Sequence, residues 1–183
     1  YRIDYALGQK TGFFIDQREN RRLVAQYAKG RKVLNAFAYT GGFSLSAIKA
    51  EAKEVVSLDI SARAVRICED NVKMNFAENT THIGEVADVL DYLNSLEKGR
   101  FDLIVLDPPA FAKHQRNLQQ ALKGYRAINQ KAMEKIASGG LLFTFSCSQA
   151  VSKEDFATML FSCAALSGRN VRIIKHLAAG TDH

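Results

Sequence analysis

The sequence predicts an α/β fold: a mostly parallel sheet with helices on both faces, in one compact domain of 183 residues. Three observations predict it. Short apolar runs alternate with helical patterns along the whole chain, which is the rhythm of βαβ units. The ends of these segments carry small or acidic residues at five separate points: 39–42, Asp59, Asp88, 107–109 and 146–148. In a parallel sheet such ends lie along one edge, where ligands bind. Finally, the length suits a single domain, and the hydrophobic fraction of 47% is ordinary for a globular core.

The elements follow in order. Residues 1–31 are read as an N-terminal segment and helix, ahead of a core over 32–183. KVLNAF (32–37) is the first strand, followed by Gly41-Gly42 and a helix over 43–50. VVSL (55–58) is the second strand and delivers Asp59. Ser61 is a natural N-cap for a helix to Asn75, with Val65, Cys68 and Val72 on one face. A short third strand is read near 81–84, then a helix over 89–96. FDLIVL (101–106) is the fourth strand and runs into Asp107-Pro108-Pro109. A long helix covers 118–136. Gly139-Gly140 precede the fifth strand, LLFTF (141–145), which ends in Ser146-Cys147-Ser148. Ser152 caps a helix to Leu166, and VRIIKH (171–176) reads as a sixth strand.

Composition narrows the function. The only two prolines are adjacent, Pro108 and Pro109, and there is no tryptophan, which excludes Pro-rich linkers and disordered Pro/Ser tails. The net charge is +6, unevenly spread: residues 1–32 hold eight Lys/Arg against three Asp/Glu, and residues 110–135 hold six against one. Two basic blocks on an acidic body read either as solvated helix faces or as phosphate-contacting surfaces flanking a site. Three cysteines without a C-x-x-C argue against a disulfide framework and against zinc, and fit a reduced cytoplasmic protein. No apolar run approaches the roughly 20 residues that span a bilayer, so no membrane partner is expected. The chain starts at Tyr1 without an initiator Met and is read as a fragment or trimmed chain.

A carboxylate at the end of the second strand of a βαβ unit accepts hydrogen bonds from ribose hydroxyls. Asp59, 17 residues beyond Gly42, is in that position. The Gly pair permits close backbone approach to a ligand, and the lack of G-x-G-x-x-G counts against a dinucleotide.

These residues carry a resemblance. NAFAYTGGFS (35–44), Asp59 and Asp107-Pro108-Pro109 resemble the motifs of Rossmann-like class I S-adenosylmethionine (SAM) methyltransferases. With KTGFFIDQR (10–18), DPPAF (107–111) and TFSCS (144–148), nearly the whole chain is similar to the bacterial cytosine-5 methyltransferases of large-subunit (23S) ribosomal RNA. The resemblance implies sheet order 3-2-1-4-5-7-6 and SAM as cofactor. It implies SAM contacts from Phe37, Tyr39, Thr40, Gly41 and Gly42, with Asp59 and Ile60 at the ribose, Asp88 at the adenine and Asp107 at the methionine end. The 10–18 segment, with Phe13 and Gln17, would cover the cofactor pocket. Asn35 stands where the superfamily usually has an acid, and Phe37 where it has its first Gly. Similar full-length proteins add an N-terminal PUA domain and a connecting β-domain, and continue into a final strand expected to be missing here.

The resemblance also proposes a chemistry. Carbon 5 of cytosine is a poor nucleophile until a thiolate adds to carbon 6. Cys147, just past a buried strand, is the candidate nucleophile; Cys68 and Cys163 fall on apolar helix faces and read as core. Asp107 is its candidate partner, able when protonated to donate to the cytosine edge. Pro108-Pro109 removes two backbone donors and fixes φ at both positions, making a rigid turn with exposed carbonyls. Phe111 either stacks on an extruded base or packs in the core. Lys113, His114, Arg116, Lys123, Tyr125 and Arg126 are candidate phosphate contacts. Two other functions stay open: methylation of an exocyclic amine through the acidic-Pro-Pro-aromatic turn, and a non-catalytic SAM- or RNA-binding module. Ribosomal RNA is the expected partner; the oligomeric state is left open, a homodimer included.

Overall fold

Apolar runs buried on both faces form the centre of an all-parallel sheet, β2, β1 and β4, with the less buried β3 and β5 at its two edges, in the order β3-β2-β1-β4-β5. The computed structural model describes residues 14–78, 81–112 and 114–177. The strands are β1 (Lys32–Ala36), β2 (Glu54–Asp59), β3 (His82–Val86), β4 (Leu103–Leu106) and β5 (Leu141–Thr144). The helices are α1 (Arg18–Ala28), α2 (Gly42–Lys49), α3 (Ala62–Asn75), α4 (Val89–Ser95), α5 (Leu118–Lys135) and α6 (Lys153–Leu166).

Register sorts the core into layers. Val33 lies between Val55 and Leu103, and Leu34 between Val56 and Ile104, so successive rows face opposite sides of the sheet. The first row packs with Val24 and Ala28 of α1 and with Leu45 and Ile48 of α2. The second packs with Leu93 of α4 and with Ile128 and Ala132 of α5. Helix α6 rests on α5 rather than on the sheet, through Met159 and Cys163 against Tyr125 and Met133.

Local sequence explains where the helices begin. Ser61 Oγ accepts from the Ala64 N–H at 3.2 Å, and Ser152 Oγ accepts from the Asp155 N–H at 3.0 Å. Each satisfies one of the N–H groups that a helix start leaves unpaired.

One predicted element is corrected. Residues 171–176 form no strand: Val171, Ile173 and Ile174 stand exposed and unpaired. Their apolar spacing satisfies strand propensity, but a strand exists only against a neighbour. In the expected order 3-2-1-4-5-7-6 the sixth strand's neighbour is the seventh, not the fifth. Among the described residues β5 pairs with β4 alone.

Candidate active site

The loop after β1 is unusually constrained. Phe37 (φ 61°), Tyr39 (φ 48°) and Gly41 (φ 87°) all adopt left-handed backbone, which is uncommon for the two aromatic residues. Surrounding bonds enforce it. The Ala38 N–H donates to Leu58 O at 2.9 Å, and the Gly41 N–H donates to Ala38 O at 2.9 Å. Asn71 Nδ2 donates to Thr40 O at 3.1 Å, holding that buried residue against α3. A Cβ on Gly41 would run into Cys68 Sγ, so glycine is needed there for space as well as for φ. Gly42 then opens α2. The strand thus turns sharply, leaving backbone and the Tyr39 ring at the carboxyl edge, where Phe14 meets that ring edge-on at 5.8 Å.

Asp59 closes the same corner. Its Oδ2 accepts from the Tyr39 N–H and its Oδ1 from the Ser61 N–H, both at 2.9 Å. Each carboxylate oxygen keeps acceptor capacity beyond these single bonds. Ile60 beside it is 72% exposed, an apolar side chain held out at the edge of β2. Asp88 caps α4: its Oδ1 accepts from Leu90 and Asp91 N–H groups at 2.8 and 3.0 Å. That capping role accounts for its position without a ligand, although the residue stands exposed at the same edge.

Asp107 ends β4 at the centre of the edge. Gln17 Nε2 donates to its Oδ1 at 3.1 Å, and Asn20 Nδ2 donates to Gln17 Oε1 at 2.7 Å. The carboxyl keeps some solvent contact, yet most of its surroundings are protein. Burial pushes it up to about 7, and nearby Asp16 adds to the rise; the Gln17 bond and Arg21 oppose it. Cys147 is exposed, and its Sγ donates to Pro108 O at 3.3 Å. The structure therefore brings together Gln17, Asp107, Pro108 and Cys147 from three distant segments. The other two cysteines are buried, and burial holds the thiols of Cys68 (about 11) and Cys163 above the usual range.

The remaining candidates divide. Pro108 is buried and Pro109 exposed at the lip. Phe111 packs 4.6 Å from Tyr125 and against Gly124, which is the packing alternative. Arg116 and Arg126 are exposed, as are His114 and Lys123. Tyr125 is a correction: it is fully buried, with its hydroxyl on Ser148 Oγ at 2.9 Å, so it cannot meet a phosphate. Phe13 and Lys113 lie outside the described residues. Sequence reasoning missed Asn20 and Tyr125 as the residues that hold Gln17 and Ser148. Asn20 had a signal, since it stands three residues after Gln17 and i,i+3 neighbours share a face.

A parallel sheet with a strained loop after β1, an acid ending β2 and an acid-Pro-Pro turn ending β4 define a Rossmann-like α/β core. The chain belongs to the family described as S-adenosylmethionine-dependent methyltransferase, which it matches over residues 1–177. It is 41% identical over 183 residues to "Ribosomal RNA large subunit methyltransferase I" of Aeromonas hydrophila, and 42% identical over 179 residues to a "Ribosomal RNA large subunit methyltransferase" of Deinococcus radiodurans. These alignments cover 99% and 96% of this chain but 46% and 44% of the relatives, so the chain spans about half their length. Among solved structures, the methyltransferase SMU.776 complexed with SAH is similar in fold (TM-score 0.77, 24% identity, 96% of this chain and 46% of that one). A SAM-dependent methyltransferase from Streptococcus mutans matches at TM-score 0.72 and 26% identity, over 84% of this chain and 40% of that one.

The cofactor is S-adenosylmethionine, and the described residues suit it. Asp59 retains acceptor positions for ribose hydroxyls, and exposed Ile60 offers an apolar face one residue away. Among the described residues no helix is long and apolar enough to cross a membrane.

Proposed function

We propose that the protein transfers a methyl group to carbon 5 of a cytosine in large-subunit ribosomal RNA, with Cys147 as nucleophile and Asp107 as its partner. One observation carries the reading: an exposed thiol hydrogen-bonded to the carbonyl that follows Asp107, at the ligand edge of the sheet. SAM supplies the methyl group. The chain's own residues do the rest. Cys147 gives its thiol proton to solvent at its exposed edge and adds as thiolate to carbon 6 of the base, which makes carbon 5 electron-rich. Asp107, pushed up to about 7, is part-protonated near neutral pH and donates to the cytosine edge as the ring accepts the thiolate. Pro108 and Pro109 fix the turn that joins the two groups. After transfer, loss of the carbon-5 proton and elimination of sulfur release the product.

The RNA substrate is supported by the names of the relatives and by exposed Lys123, Arg116 and Arg126 beyond the turn. Arg18 and Arg22 are less available, since both pair with Glu19. The alternative that methylates an exocyclic amine relies on a Pro-side carbonyl as acceptor. What favours the cytosine reading is the exposed Cys147 thiol beside that carbonyl, since amine methylation needs no cysteine.

Trapping tests it. The protein is incubated with SAM and large-subunit RNA bearing 5-fluorocytosine. The expected result is a covalent RNA–protein adduct that Cys147→Ala abolishes. Normal methylation by Cys147→Ala would overturn the proposal, and SAM binding without transfer to any RNA would favour a binding module.

A further inference from the structure

Gln17 is held at both ends. Asn20 Nδ2 donates to its Oε1 at 2.7 Å, so its amide nitrogen must face the other way, toward Asp107 Oδ1 at 3.1 Å. Toward a protonated carboxyl, an amide released from Asn20 could present either oxygen or nitrogen, whereas a carboxylate only accepts and takes the nitrogen. Asn20 itself is buried in the first turns of α1, where its side chain has little freedom. We propose that Asn20 and Gln17 form a relay that fixes Oδ1 of Asp107 as an acceptor and leaves Oδ2 as the oxygen that carries the proton, making Asn20 a positioning residue. This rests on the role proposed for Asp107.

The physical logic is one of donors and acceptors. A carboxyl oxygen receiving an N–H cannot also direct its own proton along that line. When Asp107 protonates, the proton goes to Oδ2, which accepts no hydrogen bond from the described residues. Among the described residues the charged and titratable groups around it are Asp16 and Arg21, from the segment before α1 and from α1, and the Cys147 thiol at Pro108. Asp16 and Arg21 pull in opposite directions, and the Gln17 bond adds its own lowering of proton affinity while it also decides which oxygen accepts. Arg21 is itself tied down, since its Nη1 donates to Phe14 O at 2.7 Å. Residues 14–21 thereby act as one rigid edge against the carboxyl.

The test follows the carboxyl carbon of Asp107 by NMR as pH is varied, so it reads the relay without any methyl transfer. Gln17→Met keeps volume and removes the donor. The midpoint is expected to rise by about one pH unit, a tenfold change in proton affinity. Asn20→Leu is expected to shift it the same way, and the double variant to match Gln17→Met alone, because Asn20 acts only through Gln17. An unmoved midpoint in Gln17→Met, or a further shift on adding Asn20→Leu, would overturn the proposal. Where Asn20→Leu does not fold, the parent protein decides: the Gln17 side-chain amide signals should shift with the Asp107 midpoint, and independence from it would count against the relay. Failure of the RNA adduct with an intact relay would fault the cytosine mechanism alone.

Discussion

The Asp107 carboxyl is a buried acid at the ligand edge of the sheet, and its burial makes stability depend on pH. A carboxyl ending a buried strand is held up to about 7 by burial first and by Asp16 second. The sign of the consequence follows from linkage. The folded state keeps a proton that the unfolded chain releases near its ordinary value of 3.8, so folding stability is greatest below that value and falls as pH rises toward about 7. Asp107→Asn removes the ionisation while leaving Gln17 an oxygen to bond. The variant should be more stable than the parent in urea at pH 8, with the gain shrinking toward pH 4. Methyl transfer should fall by about 10²-fold or more, since the amide cannot exchange a proton with the base. A variant no more stable at pH 8 than at pH 4.5, relative to the parent, would mean that the carboxyl is not held protonated.

The loops after β4 and β5 are joined by Ser148, one residue beyond the proposed nucleophile. Its Oγ accepts from the Ala112 N–H at 3.3 Å and shares a hydrogen bond with Tyr125 OH at 2.9 Å. Tyr125 is in turn wedged between Phe111 and Phe156. Tyr125→Phe keeps that packing and removes the hydroxyl. It should cost roughly 1 kcal/mol of stability, the worth of one buried hydrogen bond, and loosen the Cys147 loop. Alkylation of Cys147 by iodoacetamide should then speed up severalfold while methyl transfer slows; unchanged alkylation would show that the loop does not depend on Tyr125. The latch also shows what was legible in the sequence. Apolar runs located β1, β2, β4 and β5, and Ser61 and Ser152 announced α3 and α6, because strand burial and caps are local properties. Tyr125 stands between the basic residues Lys123 and Arg126 in the sequence, yet Ala121, Ile128 and Ala132 share its helical face and are buried with it. The period held the answer and charge distracted from it. The contact of Gln17 with Asp107 spans 90 residues and exists only once the chain is folded.

Across the whole molecule a second buried titrating group works against Asp107. A polar chain crosses the sheet beneath the loop after β1: Asn35 Nδ2 donates to Ser44 Oγ at 2.8 Å, Ser44 Oγ meets Ser57 Oγ at 2.6 Å, and Ser57 Oγ meets His82 Nε2 at 2.7 Å. It ties β1, α2, β2 and β3 together on interior groups that have no access to bulk water at Ser44 and Ser57. Burial lowers His82 to about 4, so the ring stays neutral in the fold. The folded state then binds fewer protons than the unfolded chain between about 4 and the ordinary 6.5. That contribution is present above 6.5 and is lost as pH falls through the window, opposite in slope to Asp107 over the same range. The parent's stability should therefore vary little between pH 4.5 and 6.5 on account of these two groups. His82→Gln keeps a neutral hydrogen-bonding side chain and removes only the acid-side loss. Urea midpoints should place this variant slightly below the parent at pH 7, from an imperfect bond to Ser57, and progressively better relative to it as pH drops to 4.5. Asp107→Asn should move the other way over that interval, and the double variant should be flatter than either. A difference between His82→Gln and parent that stays constant from pH 7 to 4.5 would mean that His82 charges freely in the folded protein, and that the chain from β1 to β3 does not exclude its proton.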